Sequence, residues 1–298
     1  MSRARDLKRV MRALHSGDLE LAQQLTDSLI QEHEVSSPDN IHEIPFDASV
    51  DVESSTRDQG YVFVSGAPRS GTTALGKLLS LHPKISMFIE LYSSRFGYRP
   101  GMFDPKEIKR FHEMGVLKSL DQHRNPAVFD AMTDDAIVGD KRPNFMDSAA
   151  LTLNHFKNQK LFVVHVVRDP FEVAHSYIER ARNGTWPADR DHTVAVKELN
   201  QNNKTALSLS RFGLAGQNQH LIVLNYATFW SDVENLVALF DKLGLDSSAI
   251  PHRDLEQFCK SSIKVSEKPR ELTQLEQNEI ESQFDFETYE ALLAECTF

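Results

Sequence analysis

Apolar residues recur along this chain with two different periods, and the switches between them mark out its elements. Near the start, Leu7, Val10, Met11 and Leu14 follow the i, i+3, i+4, i+7 spacing of one helical face, and Ala22, Leu25 and Leu29 form a second stripe. Gly17 is a helix stop and Asp18 a helix cap. Residues 3–15 and 18–33 therefore read as a short helical hairpin within 1–34. A single hairpin cannot bury its own apolar face, so it is expected to pack on the main domain or on a partner chain. Residues 35–59, rich in Ser, Pro, Asp and Glu, read as a linker.

From residue 60 the helical stripes give way to short, mainly apolar runs. Tyr61–Val64 lies between Gly60 and Gly66, and Ile85–Phe88, Leu161–Val167 and Leu221–Leu224 follow. Such runs suit strands buried on both faces. Ile137–Val138 is short and suggests an edge strand. Helices are expected from about Gly71, with Leu75, Leu78 and Leu79 on one face, and over 144–156, 191–214 and 227–243. Another begins at Asp169-Pro170, a cap followed by a first-turn proline. Residues 104–135 are mixed, and the tail beyond Gly244, which has no further glycine, reads as helical. Strands alternating with helices predict an α/β fold, a mainly parallel sheet flanked by helices, over 60–298. Ligands of such sheets bind beyond the carboxyl ends of the strands, which directs attention to Ser65 and Val167.

Composition narrows the classes. Against 33 Lys and Arg stand 43 Asp and Glu, a net charge of −10, which disfavours broad nucleic-acid binding but permits a local anion pocket. The two cysteines, Cys259 and Cys296, have no CxxC spacing, which argues against a disulfide framework or a cysteine zinc site and suits a reducing compartment. No apolar run approaches the ~20 residues of a membrane span, and the N-terminus lacks the apolar core of a secretory signal. A cytoplasmic protein without a transmembrane segment is expected. Neither HExxH nor GxSxG occurs, and no metal is expected.

Residues 65–75 read Ser-Gly-Ala-Pro-Arg-Ser-Gly-Thr-Thr-Ala-Leu. A buried strand that runs into a glycine-containing loop and opens a helix turns several backbone N–H groups, and the helix's positive end, toward one spot. Ser70, Thr72 and Thr73 add hydroxyls, and Arg69 adds a permanent charge with a planar donor fork. Gly66 and Gly71 have the spacing of the nucleotide triphosphatase loop GxxxxGK[ST], but Thr72 stands where its lysine would be. GAPRSGTTAL after a hydrophobic strand resembles the 5′-phosphosulfate loop of the sulfotransferase family. Those P-loop-like enzymes use 3′-phosphoadenosine 5′-phosphosulfate (PAPS) and release 3′,5′-ADP (PAP). The family usually has Lys or Arg at the position of Arg69.

A second anion site is suggested by LFVVHVVRDPFEVAHSYIER (161–180). Arg168 ends the strong strand, and Ser176 and Arg180, four apart, share a helix face. This Arg-Asp-Pro…Ser arrangement resembles the family's 3′-phosphate site. His165, inside the strand, reads as a core histidine.

The resemblance further implies a proton acceptor and a charge-stabilising cation. Glu90 follows ISMFI, 21 residues after Arg69. Several carbohydrate and tyrosylprotein sulfotransferases have a catalytic Glu at about this place, and burial would raise its pKa toward a useful value. Lys141, in Gly-Asp-Lys-Arg-Pro-Asn (139–144), resembles the Lys of a segment that reaches the family's active site, with Arg142 as its neighbour. Cytosolic small-molecule members often place a catalytic His two residues beyond that Lys. Pro143 stands there, which shifts the base role to Glu90. Tyr226, after LIVLN, matches a Tyr common in the family that touches the nucleotide or packs beneath it. Residues 91–135 and 183–192 would shape the acceptor pocket, with Tyr92, Phe96, Tyr98, Phe103, His112, His123 and Trp186 as candidates that also suit ordinary core or surface. The resemblance covers about 60–245. Beyond it, many members close a Gly-containing basic loop over the nucleotide, whereas this chain has Lys264, Lys268 and Arg270 without glycine.

The expectation is a PAPS-dependent sulfotransferase acting on a hydroxyl or amine. Glu90 is its general base, and Arg69 and Lys141 stabilise charge. Arg69, Ser70, Gly71, Thr72, Thr73, Arg168, Ser176, Arg180 and Tyr226 hold the nucleotide. Carbohydrate, lipid, phenol and peptide tyrosine all remain as acceptors, and a homo-oligomer stays open. The rival readings are a P-loop kinase or nucleotidase acting on ATP–magnesium, and a non-catalytic binder that works through its N-terminal hairpin.

Overall fold

A computed structural model describes residues 60–92, 97–113, 137–266 and 272–298. The expected hairpin and linker (1–59), part of 104–135, Phe96, His123, Lys268 and Arg270 lie outside the described residues, as do the side chains of His112 and Lys264. Five strands form one parallel sheet: β1 (Tyr61–Ser65), β2 (Ile85–Ile89), β3 (Ile137–Lys141), β4 (Leu161–Val167) and β5 (Gln219–Asn225), in the order β2-β3-β1-β4-β5. The helices are α1 (Thr72–Leu79), α2 (Pro105–Glu113), α3 (Ala149–His155), α4 (Pro170–Arg182), α5 (His192–Phe212), α6 (Tyr226–Phe229), α7 (Val233–Lys242), α8 (His252–Ser266), α9 (Gln274–Gln283) and α10 (Phe286–Ala294).

β1 explains why its sequence is apolar without alternation. Val62 and Val64 face an aliphatic cluster with Leu75, Leu78 and Leu79 of α1 and Leu236, Leu239 and Phe240 of α7. Tyr61 and Phe63 face the opposite way, into rings from Tyr98, Phe103, Phe145 and Phe156. A strand covered on both faces has no use for polar positions. Each buried aliphatic side chain contributes roughly 1.5–3 kcal/mol, and Leu78→Ala is expected to cost about 2–5 kcal/mol.

Two expectations are corrected. β3 is not an edge strand: it pairs with β2 on one side and β1 on the other. Its apolar run stops at Val138 because the strand continues through Gly139, Asp140 and Lys141. A Cβ at Gly139 would run into the carbonyl oxygen of Val62, so this close strand pairing needs glycine. The helix expected over 227–243 is broken into α6 and α7, and Asp232 restarts it by accepting a hydrogen bond from the Glu234 N–H. The true outer strand on one side, β5, is covered by the segment at Thr297–Phe298, through Thr297 N–H to Val223 O (2.8 Å) and Asn225 N–H to Phe298 O (3.3 Å).

The chain leaves β1 toward β2 on one side of the sheet and leaves β4 toward β5 on the other. A crevice opens at such a switch point, between the carboxyl ends of β1 and β4. Among the described residues, no helix is long and apolar enough to cross a membrane.

Candidate active site

The loop between β1 and α1 is built from backbone conformations that few residues adopt. Gly71 has φ 95° and Arg69 has φ 71°, and a non-glycine residue in this left-handed region costs roughly 1–2 kcal/mol. At Gly71 a Cβ would collide with the ring of Tyr226, so glycine is required there for space as well as for φ. α1 begins at Thr72 with no side-chain cap and no acidic residue in its first turn. Its first N–H groups and its positive end are therefore uncompensated by side chains. Ser70 is fully buried, and its hydroxyl has no hydrogen-bond partner among the described residues. Thr72 is buried and Thr73 exposed.

The two expected anion sites are one patch. Arg69 turns away from its own loop and donates from Nε to Ser176 Oγ (2.9 Å), on α4. Arg168, at the end of β4, donates to the carbonyl oxygen of Arg69 (2.9 Å) and lies 4.2 Å over the ring of Tyr226. Arg168 also makes the ordinary i, i+4 ion pair with Glu172 (2.6 Å). Burial lowers the pKa of Arg69, and the positive charges of Arg180 and Arg168 lower it further, while Glu179 and Tyr177 oppose them. Three guanidinium groups thus share one locality, with Glu172 and Glu179 as carboxylates beside them. Arg180 lies 5.4 Å over Trp186, which meets Tyr177 edge-on at 4.8 Å. Tyr226 is buried, wedged between Gly71 and Arg168.

On the other side of α1, Glu90 and Lys141 form an ion pair. Lys141 is the last residue of β3, and its stem packs on Gly76 of α1. Its side chain is 2% exposed, whereas that of Glu90 is 55% exposed. The expected burial of Glu90 is therefore corrected: the residue steps out of the sheet at the end of β2 with φ 58° and reaches back to a buried ammonium. The Lys141 segment is tied to the phosphate loop by backbone bonds from Arg142 N–H to Val64 O (3.0 Å) and from Asn144 N–H to Gly66 O (3.0 Å). Asn144 also accepts from Asn202 of α5 (2.8 Å).

Of the acceptor-pocket candidates, Tyr92, Tyr98 and Phe103 are buried in the core. His165 is fully buried, with Nδ1 3.2 Å from Ser65 Oγ. Burial takes its pKa down to about 4, which leaves a neutral imidazole in the core. Sequence reasoning missed Asp140 and Asn144. Both stand in the segment 139–144, and the only signal was the mismatch between a strand and the polar residues that end it. Among the described residues no group of three or more His, Cys, Asp or Glu is placed to hold a metal. A cleft of about 340 Å³ lined by Leu81, Asp254, Gln257, Phe258 and Ser261 shares no residue with this site.

The profile of one protein family, the sulfotransferase family, matches residues 61–248. An uncharacterized protein of Aquifex aeolicus (strain VF5) is 32% identical over 139 residues, which cover 42% of this chain and 18% of that protein. The chain thus spans less than a fifth of that relative's length. Among solved structures, a sulfotransferase from Alicyclobacillus acidocaldarius is 16% identical, with 78% of this chain and 98% of that one covered and a TM-score of 0.43. The sulfotransferase domain of the Synechococcus PCC 7002 olefin synthase is 17% identical, with 74% and 93% covered and a TM-score of 0.41. Mouse sulfotransferase SULT7A1, solved in complex with PAP, is 15% identical, with 74% and 71% covered and a TM-score of 0.42.

Proposed function

The chain belongs to the sulfotransferase family, and on that premise we propose that it transfers the sulfuryl group of PAPS to a hydroxyl or amine acceptor, with Glu90 as the general base. One observation carries the reading: Arg168 bonds to Arg69, and Arg69 bonds to Ser176, so the phosphate-loop motif and the Arg-Asp-Pro…Ser motif meet on one patch. A nucleotide with phosphate at both its 3′ and 5′ positions suits such a patch, because three guanidinium groups converge there beside the uncapped start of α1. Ser70, Gly71, Thr72 and Thr73 hold the 5′ end through N–H and hydroxyl donors, and Arg168, Ser176 and Arg180 hold the 3′ end, while Arg69, a residue of the phosphate loop that bonds to Ser176, bridges the two and stabilises charge on the transferring group. Tyr226 supports the floor between them.

In the transfer, the acceptor oxygen or nitrogen forms a bond to sulfur as the bond from sulfur to the bridging oxygen breaks. The electron pair leaves with the 5′-phosphate of PAP, and the acceptor's proton goes to the Glu90 carboxylate. Glu90 becomes neutral at that moment, so its hold on Lys141 weakens. The Lys141 ammonium is then free to stabilise the negative charge developing on the bridging oxygen, the kind of electrostatic contribution that dominates such reactions. One proton transfer thereby directs a buried cation toward the leaving group.

A screen of pooled carbohydrates, lipids, phenols and tyrosine peptides with radiolabelled PAPS tests the reaction. Calorimetry tests the donor: PAP is expected to bind and ATP–magnesium to bind far more weakly. The reverse preference, with no label transferred, would replace this reading by the kinase or nucleotidase alternative.

A further inference from the structure

Glu90 occupies a conformation it would not adopt unaided. Its φ of 58° is in the left-handed region, which an ordinary L residue keeps only when its surroundings hold it there. Both N–H groups around this turn are taken by consecutive residues of β3. The N–H of Glu90 donates to the Lys141 carbonyl oxygen (2.9 Å). The N–H of Leu91 donates to both carboxylate oxygens of Asp140, at 3.3 and 3.2 Å. β2 ends at Ile89, so the Asp140 side chain supplies an acceptor where the sheet ladder has stopped.

Asp140 is itself held in place. It is fully buried, and Tyr98, also fully buried, donates its hydroxyl to Oδ2 at 2.5 Å. Tyr98 is fixed in turn by stacking on Phe63 (4.8 Å), by its N–H to Thr152 Oγ1 (3.0 Å) and by the Arg142 guanidinium 5.2 Å over its ring. A chain of buried contacts therefore runs from the aromatic core to the peptide bond that follows Glu90. A buried carboxylate is costly to keep, and an apolar residue would fill this core position at lower cost.

We infer that Asp140 is a positioning residue for the reaction: it pins the Glu90–Leu91 peptide and so holds the Glu90 carboxylate against Lys141 and toward the acceptor. This rests on the reading of Glu90 as the base. The charges of Lys141 and Arg142 act on Asp140, but its hydrogen bonds run to Leu91 and Tyr98, so its positioning effect passes through the turn.

The test uses the full chain with radiolabelled PAPS and water as the probe acceptor, read as release of inorganic sulfate. Asp140→Asn should slow release about 100-fold, the order of loss expected when a catalytic group is misplaced by about 1 Å. Its affinity for PAP should stay within about twofold of the parent, because the cation patch is intact. Amide exchange at Leu91 should become faster in the same variant. In a Glu90→Gln background, adding Asp140→Asn should cost nothing further, since the group it positions is already gone. Tyr98→Phe, which keeps the carboxylate and removes only its orienting hydroxyl, gives a smaller loss of the same kind if Asp140→Asn does not fold. Unchanged release in Asp140→Asn, or an equal loss with and without Glu90, overturns the inference. Full release in Glu90→Gln overturns instead the base assignment on which it rests. Leu91 exchange still reports whether Asp140 pins the turn.

Discussion

The two halves of the site are built on opposite electrostatic plans. Around the phosphate loop, Arg69, Arg168 and Arg180 crowd together, and burial first, then repulsion from Arg180 and Arg168, lowers the pKa of Arg69. Backbone N–H groups at the start of α1 add to the same positive field. At the other half, Lys141 forms with Glu90 an ion pair that is neutral as it stands, and the buried Asp140 beside it also feels the ammonium's charge. On the proposed reading, binding and chemistry are separated in space and in charge: the cation-rich region gains stability when an anionic ligand arrives, and the Glu90–Lys141 pair changes only when a proton moves.

That contrast can be broken from either side. The largest effect belongs to the neutral pair. Glu90→Gln should lower turnover by about 10²–10⁴-fold while leaving PAP affinity intact, as loss of a positioned base does. A variant with full turnover would put proton removal elsewhere. Arg69→Ala should come next, with about 10²–10³-fold slower turnover at saturating PAPS if its charge acts on the transferring group. Arg168→Ala should weaken PAP binding about 10–100-fold, the loss of a charged hydrogen-bonding partner, with turnover at saturation nearly kept. Calorimetry and kinetics on the same preparations separate the last two. A purely structural role for Arg168 would leave PAP affinity unchanged.

A thermal scan sharpens the comparison without substitution. PAP at about 100 times its dissociation constant should add about 2.7 kcal/mol of stability, and Arg168→Ala should erase about half or more of that gain at the same concentration. The smallest effect is a pH dependence from two buried groups away from the cation patch. Burial takes His165 from the ordinary 6.5 down to about 4. The unfolded chain therefore binds the extra proton first, and stability is lost as pH falls below about 6.5. From pH 7.5 to 5 the loss is about 2 kcal/mol. Burial raises Asp140 from the ordinary 3.8 to about 6, opposed by the Tyr98 and Leu91 hydrogen bonds and by Lys141 and Arg142. The folded state takes up that proton first, so the same acidification returns about 1 kcal/mol. His165→Gln should accordingly flatten the decline in melting temperature between pH 7.5 and 5. An unchanged slope would place the acid sensitivity in other groups.

Particular residues show what periodicity carries and what it loses. β4 has the range expected for it, Leu161–Val167, because six apolar residues and one histidine, all covered on both faces, leave no other reading. Asp169 and Pro170 started α4 as expected, since their preference is local: the Asp169 carboxylate accepts from the Glu172 N–H at 2.9 Å. β3 was mistaken for an edge because Asp140 and Lys141 look like turn residues. Their burial depends on Tyr98 and Glu90, which are distant in sequence. The exposure of Glu90 was misjudged for the same reason, as nothing local records its left-handed step out of the sheet.

The order of apolar runs, the caps and the two cation-bearing strings are properties of neighbouring residues, and the sequence determined them: a parallel α/β sheet with a glycine-containing loop opening a helix after its first strand. Only the tertiary structure decided that Arg69 turns to Ser176, that β3 sits inside the sheet, and that a buried aspartate holds the turn beside Glu90. Each of those pairs a charge or a donor with a group tens of residues away, and long-range burial, which sets the cost of leaving such a group unpaired, has no signature in local spacing.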